Sequence, residues 1–290
     1  MVNTKNILII GRVGSGKSAL ANLLVNKKES LEEGGRFEEF FKESDSSVSE
    51  TREIKSKEAE IERINYRIID TIGIGNAELT DEELTYKITE TCYKLKDGLT
   101  QVLFVIGGRF AKEEIKIYNI IKKLCGEEIT KYTTIVRTKF HNFQDPEQCE
   151  TDKKKLKEEN KRGNKKIRKM ANLCNEIIYI DNPSLNSVNK EEEKVYKKRK
   201  KESRDKILKH LSNYQEIYKI NNLELISEIP EDGKKDEVRE ILEKERQEAE
   251  KTISFKRVKQ LLRRKPETVE EIKRSSLEAF VEINSRCRQM

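Results

Sequence analysis

The sequence predicts an α/β fold, a mostly parallel sheet with helices on both faces, and three observations lead there. Short apolar runs alternate with segments of helical spacing from Asn6 to Asp181, the pattern of strands joined by helical crossovers. The first apolar run passes through a glycine-rich turn directly into a helical segment. The second clear strand ends on a carboxylate, Asp70. Right-handed crossovers then fix most of the topology.

Asn6-Ile7-Leu8-Ile9-Ile10 is a continuous apolar run, as expected of a strand buried on both faces. Gly11 to Gly16 form the turn, and Ser18 to Val25 show helical spacing. Residues 28–60 are polar, with Gly34-Gly35 and the serine-rich Ser44–Ser49, and predict a long loop with an edge strand. Ile64–Asp70 is the second strand, and a helix is expected from Thr80-Asp81-Glu82-Glu83 to about Leu95. Gln101–Ile106 is the third strand, Ala111–Cys125 an amphipathic helix and Thr133–Val136 the fourth strand. One long charged helix is expected over about 145–173, a fifth strand at Glu176–Asp181 and another charged helix over Lys190–Tyr218. Pro230-Glu231-Asp232-Gly233 marks a break, and Pro266 opens a last helix. The domain reading is therefore 1–218 for the α/β domain and 219–290 for a charged helical C-terminal extension. The heptad there is not sustained, so a coiled coil is not assigned.

Charged residues make up 39% of the 290-residue chain and apolar ones 34%, but the apolar runs crowd residues 5–140 and can build a core there. The net charge of +7 arises from 60 basic and 53 acidic residues that are interspersed. That mixture argues for ion-paired helix surfaces and against a nucleic-acid partner. The basic blocks Lys197–Lys201 and Lys256–Lys265 read first as solvated helix faces, and second as surfaces for an acidic partner or a peripheral membrane contact. Five cysteines without ligand spacing, and two histidines, suggest neither a disulfide framework nor a zinc site. No run approaches the ~20 apolar residues of a membrane span, and Met1–Lys5 leads straight into the first strand, so a cytoplasmic protein is expected.

Gly11-Arg12-Val13-Gly14-Ser15-Gly16-Lys17-Ser18 fits G-x-x-x-x-G-K-[ST] between a strand and a helix, the context that makes the motif a phosphate cradle. Its glycines let backbone N–H groups turn inward around phosphates. Lys17 supplies a point charge, Ser18 a hydroxyl for Mg²⁺, and the helix N-terminus through Ala19 its positive dipole end. Asp70-Thr71-Ile72-Gly73 fits the Mg²⁺-side carboxylate and the γ-phosphate-sensing glycine of switch-type NTPases. Between the two motifs, Ser49 is the hydroxyl expected to close over Mg²⁺, with Thr51 as the alternative. The expected metal ligands are therefore Ser18, Ser49 and Asp70.

Base recognition departs from the guanine pattern N/T-K-x-D. After the fourth strand stand Thr138-Lys139-Phe140-His141, with His141 in the place of the carboxylate. Asp181-Asn182, after the fifth strand, is expected to supply the missing acceptor while Lys139 packs on the base. The other reading of Asp181-Asn182-Pro183 is a plain turn.

The chain resembles the GIMAP or immune-associated-nucleotide-binding family, AIG-type G domains of the septin–dynamin–Toc group. The P-loop followed by Leu20-Ala21-Asn22-Leu23-Leu24, then Phe40-Phe41-Lys42-Glu43-Ser44, Ser47-Val48-Ser49 and Asp70–Gly75, carry the likeness. Most diagnostic is the stretch Asp97–Glu114. The resemblance covers about residues 5–215 and implies a Ras-like P-loop NTPase fold, GTP/GDP and Mg²⁺ as ligands, and GTP-dependent homodimers or oligomers through the nucleotide face. In such families an arginine can act across the interface, and Arg12 or Arg109 would be the candidate. Ile74 stands where small GTPases place a water-orienting glutamine, so slow or partner-completed hydrolysis is expected. Cys287-Arg288-Gln289-Met290 fits a prenylation box only formally, since Arg288 and Gln289 are not aliphatic. The expected function is a guanine-nucleotide switch or scaffold, against a dimerisation-activated GTPase, an ATP-using P-loop enzyme such as a small-molecule kinase, and a nucleotide-independent interaction protein.

Overall fold

The computed structural model describes residues 4–42, 55–71, 91, 95, 98–110, 112–158, 165–186, 188–214 and 216–220. All of them fall in the first of the two units into which the chain divides, Met1–Ile226 and Ser227–Met290. The expected helix after Thr80, residues 221–290 of the extension and the Cys287–Met290 box lie largely or wholly outside the described residues.

Strands β1 (Lys5–Gly11), β2 (Lys55–Ile61), β3 (Ile64–Asp70), β4 (Gln101–Gly107), β5 (Thr133–Thr138) and β6 (Glu176–Tyr179) form one sheet in the order β2-β3-β1-β4-β5-β6. Only β2 runs antiparallel, pairing with β3 from Lys55–Asp70 to Ile61–Ile64. It is the edge strand expected within residues 28–60, and its alternating exposure contrasts with β1 and β4, which are buried throughout. Helices α1 (Lys17–Val25), α2 (Lys112–Cys125), α3 (Pro146–Glu158), α4 (Lys165–Leu173) and α5 (Lys190–Ser212) complete the described part. A parallel sheet at the centre brings the C-terminal ends of β1, β4, β5 and β6 to one edge, where ligands of such sheets bind.

Two helix expectations are corrected. The single helix over 145–173 is two, α3 and α4, and the Asn172 amide donates to Lys157 O at 3.2 Å. In one straight helix these residues would stand about 22 Å apart at ~1.5 Å per residue, so α3 and α4 lie side by side instead. The helix expected to reach Tyr218 ends at Ser212. Tyr218 instead exchanges backbone hydrogen bonds with Leu99, N to O at 2.8 and 2.7 Å, and Ile220 beyond it is buried.

The core follows the apolar runs. Ile7, Ile9, Leu20, Leu23, Leu24, Leu103, Val105 and Val136 are buried together with Ile207, Leu208 and Leu211 of α5. The start of α5 is fixed by a capping box, in which Asn189 Oδ1 accepts from Glu191 N and Glu192 N while Glu192 returns to Asn189 N. Within the described residues no helix is long and apolar enough to cross a membrane.

The chain after α1 is tied down by two asparagines on that helix. Buried Asn22 donates to Phe41 O at 2.7 Å and accepts from Phe40 N and Phe41 N at 2.9 and 2.8 Å. One turn on, Asn26 makes a matching pair with Glu38 N and O. An irregular segment can lie against the core only if its backbone groups find such partners. Replacing Asn22 with Ala strands three of them, and each stranded buried group costs about 1–3 kcal/mol. Asn22→Ala should therefore lower the unfolding free energy by at least about 3 kcal/mol in urea titrations, with little change in the slope.

Candidate functional site

The phosphate cradle is a backbone structure seated on the ends of three strands. A Cβ on Gly11 would meet Val105 O at 2.3 Å and Ser15 Oγ at 2.8 Å, so β1 leaves the sheet closer to β4 than any side chain permits. Gly14 and Gly16 take the left-handed conformation at φ 71° and 90°, which costs other residues about 1–2 kcal/mol. Gly16 is also the residue that opens α1. Ser15 is pressed against the end of β4, where a Cβ on Gly107 would lie 3.2 Å from its Cα. From β5, Thr138 Oγ1 donates to Ser15 O at 2.5 Å.

The polar atoms of the cradle converge at the head of α1. Lys17 is 6% exposed, and its ammonium donates to Arg12 O at 3.1 Å, within the loop itself. Burial pushes its pKa down, while the Asp70 carboxylate acts in the opposite sense. Ser15 Oγ is buried and has no hydrogen-bond partner in the chain. Ser18 Oγ donates to Asp70 Oδ2 at 2.8 Å, which places a hydroxyl and a carboxylate side by side at the head of α1. Hard oxygen donors in this pairing suit Mg²⁺, which takes one or two carboxylate or hydroxyl ligands beside its waters and phosphates. The residues present thus fit a Mg²⁺-bound polyphosphate.

Arg12, a candidate for action across an interface, is engaged within its own chain. Its Nε pairs with Glu114 Oε1 at 2.9 Å and its Nη2 donates to Gly107 O at 3.1 Å. Glu114, fully buried in the first turn of α2, was not singled out as a site residue by the sequence reading. Arg109 is exposed in the loop after β4. Ser49, Thr51, Gly73 and Ile74 lie outside the described residues, so their expected roles stand as expectations.

The two base-reading segments are brought together. Beyond the β5–β6 pairing, Ile180 N donates to Arg137 O at 2.9 Å and Phe140 N to Ile180 O at 3.3 Å. Lys139 adopts a left-handed φ of 56° and is exposed. His141, also exposed, has Nδ1 3.8 Å from Asp181 Oδ2, so the residue standing in place of the carboxylate adjoins the carboxylate expected to compensate for it. Asp181 is only 4% exposed.

Three residues of α5 hold this end, and none was anticipated. Arg199 Nε pairs with Asp181 Oδ2 at 2.8 Å, and its Nη2 donates to His141 O at 2.7 Å. Lys200 Nζ donates to Asn182 Oδ1 at 2.6 Å. Ser203 Oγ accepts from Asp181 N at 3.1 Å and donates to Asp181 O at 2.6 Å. A turn earlier, Lys197 Nζ donates to Gly35 O at 2.8 Å and pairs with Glu193 at 2.9 Å. Within the basic block 197–201, Lys197 and Lys200 are therefore not solvated, at 6% and 1% exposed, whereas Lys198 does face water. The signal was present in the spacing, since 197, 200, 204, 207, 208 and 211 continue the buried stripe of α5, but lysine side chains disguised it. A cavity of about 390 Å³, lined by Gly35 to Phe37, Ser184 to Asn186 and the two lysines among others, opens beside them.

Residues 5–197 match the model of the AIG1 family. The chain belongs to the AIG1 family. Immune-associated nucleotide-binding protein 10 of Arabidopsis thaliana is 27% identical over 153 residues, 51% of this chain and 30% of that protein. Protein 8 of the same series is 31% identical over 140 residues, 46% of this chain and 36% of its relative. This chain thus spans about a third of the length of these curated relatives. A solved structure of a dimerization-deficient Toc33 variant from Arabidopsis thaliana superposes with a TM-score of 0.50 at 18% identity, covering 74% of this chain and 87% of that one. The AIG1-family match and the superposition on Toc33 agree on a Ras-like G-domain fold for residues 5–197.

Gly11→Ala tests the cradle as a backbone contact. Its Cβ would fall against Val105 O, where backbone must give way, and such overpacking costs about 1–3 kcal/mol. A lowered melting temperature together with lost nucleotide binding is expected, measured by thermal melts with and without Mg²⁺ and nucleotide.

Proposed function

We propose that this chain is a guanine-nucleotide-binding switch or scaffold that self-associates through its nucleotide face when loaded with GTP and hydrolyses GTP slowly or only within the dimer. The observation that carries the reading is the 2.8 Å contact of Ser18 Oγ with Asp70 Oδ2 at the end of an intact cradle. It unites the two motifs that G domains use for phosphate and Mg²⁺. Membership of the AIG1 family supports guanine as the base.

When bound at Ser18 and Asp70, Mg²⁺ supplies positive charge against the β- and γ-phosphates. The remaining work falls to the chain. Lys17 exchanges its own loop carbonyl, Arg12 O, for a phosphate oxygen, and that negative charge offsets the cost of its burial. The Ser15 hydroxyl gains an acceptor, and the first turn of α1 turns its N–H groups toward the phosphates. At the other end, Asp181 offers a carboxylate to the N1 and N2 donors of guanine. Asn182 Nδ2 is buried without an acceptor in the chain, a donor suited to the O6 oxygen. Hydrolysis has no water-orienting side chain at Ile74, and Arg12 is bound to Glu114, so turnover would depend on a second subunit or on release of that pair.

Calorimetric titration of the full chain with GTP, GDP and ATP, each with Mg²⁺, tests the class. Guanine nucleotides should bind at micromolar concentration or tighter and ATP should not, whereas ATP binding would favour the P-loop kinase reading. Lys17→Ala should abolish binding by removing the main counter-charge to the phosphates.

Turnover per molecule separates the two forms of the GTPase reading. It should rise with protein concentration if a second subunit completes the site, and remain flat and slow if the chain is only a switch. Fast turnover in dilute monomer would refute both.

A further inference from the structure

We infer that Arg199 and Lys200, adjacent residues of α5, set the donor–acceptor pattern with which the 181–182 loop reads a base. They are positioning residues, and the inference rests on the base-reading role proposed above for Asp181 and Asn182.

Arg199 does two things with one planar group. Its Nε forms an ion pair with Asp181 Oδ2 at 2.8 Å, and its Nη2 donates to the His141 carbonyl at 2.7 Å. One guanidinium thereby bridges the loop after β5 and the loop after β6, the two segments that must hold a base between them. The ion pair at Nε and the hydrogen bond from Nη2 use two different nitrogens of one planar group, so a single side chain can engage both loops, which a point charge cannot do. It also sets a cation against a carboxylate that is only 4% exposed, and a buried charge persists only where a partner replaces water. Since Oδ2 faces Arg199 and His141, the acceptor capacity left for a base is directed by that pairing.

Lys200 acts on the neighbouring side chain. An ammonium has donors and no acceptor, so the atom of Asn182 that faces it at 2.6 Å must be the amide oxygen. The amide is thus held one way round, and Nδ2 is left as the buried donor without a partner. Lys200 is itself 1% exposed and stands over the Phe37 ring, 4.5 Å from its centroid. Ser203, one turn further on, holds the backbone of Asp181 on both sides. The helix therefore presents an acceptor at 181 and a donor at 182. Guanine offers the matching N1 and N2 donors and O6 acceptor.

The test uses the full chain with Mg²⁺ and four probes: GDP, IDP, ADP and inorganic pyrophosphate. IDP lacks the 2-amino donor, so the GDP-to-IDP ratio of Kd values reads the contact with Asp181. Arg199→Gln should weaken GDP by about tenfold, the size expected on loss of one charged positioning partner, and should bring that ratio close to one. Pyrophosphate affinity should be unchanged. Arg199→Lys should restore the ratio only in part, since Lys cannot bridge both loops. Lys200→Met should erode the preference for GDP over ADP, again without effect on pyrophosphate. Combining Arg199→Gln with Asp181→Asn should cost no more than the larger single loss. Unaltered ratios in Arg199→Gln and Lys200→Met, additive losses in the double variant, or an equal loss of pyrophosphate affinity would each overturn the inference. A wild-type chain that does not prefer GDP to IDP and ADP, or an Asp181→Asn variant that retains the preference, would overturn the base-reading proposal itself. That failure shows in different proteins from a failure of the α5 residues alone.

Discussion

Backbone meeting backbone beneath the P-loop is the contact on which the candidate site depends. Val105 O lies where a Cβ of Gly11 would be, Gly107 faces the main chain of Ser15, and the Thr138 hydroxyl closes on Ser15 O. Three parallel strands, β1, β4 and β5, therefore determine the position of one loop. Because that loop opens α1, the same contacts aim the helix and bring Ser18 within 2.8 Å of Asp70 on β3. A side chain at Gly11 would separate these layers, and the geometry of the cradle would be lost with them.

Charge burial is the second theme. Lys17, Lys197, Lys200, Asp70, Glu114 and Asp181 are all buried, and interior ions persist only where partners replace water. Lys17 relies on a carbonyl of its own loop, an arrangement that an incoming phosphate improves. The cations of α5 are satisfied differently, by fixed partners on the loops at 32–37, 141 and 181–182. One part of the site is thus built to change partners and another to stay as it is. The Arg12–Glu114 pair links the cradle to the first turn of α2, so the stretch Asp97–Glu114, which carried the family resemblance, bears physically on the P-loop.

Much of this was legible beforehand because it depends on local rules. Strand β3 was expected at Ile64–Asp70 and stands there, since a short apolar run between turns has few alternatives. The P-loop, Ser18 and Asp70 were legible for the same reason, as spacing alone brings them to the strand ends. Less local features were missed. The division into α3 and α4 escaped notice because charged helical spacing continues from one to the other in the sequence, and only the contact of Asn172 with Lys157 reveals that they lie side by side. Lys197 and Lys200 of α5 were assigned to water because composition cannot distinguish an ammonium facing solvent from one facing a carbonyl.

By itself the sequence determined the chemistry of phosphate binding. Glycine positions, a lysine, a serine and a strand-end aspartate are enough to define the cradle, because backbone conformation and short-range spacing produce it. It also determined that the usual guanine-reading carboxylate is missing at His141. Only the tertiary structure decided what surrounds that gap. Residues 141, 181 and 199 are far apart in the chain and meet at 3.8 and 2.8 Å around one carboxylate. That meeting depends on β5 and β6 lying side by side and on α5 packing its buried stripe along them, and no spacing rule along the chain encodes it.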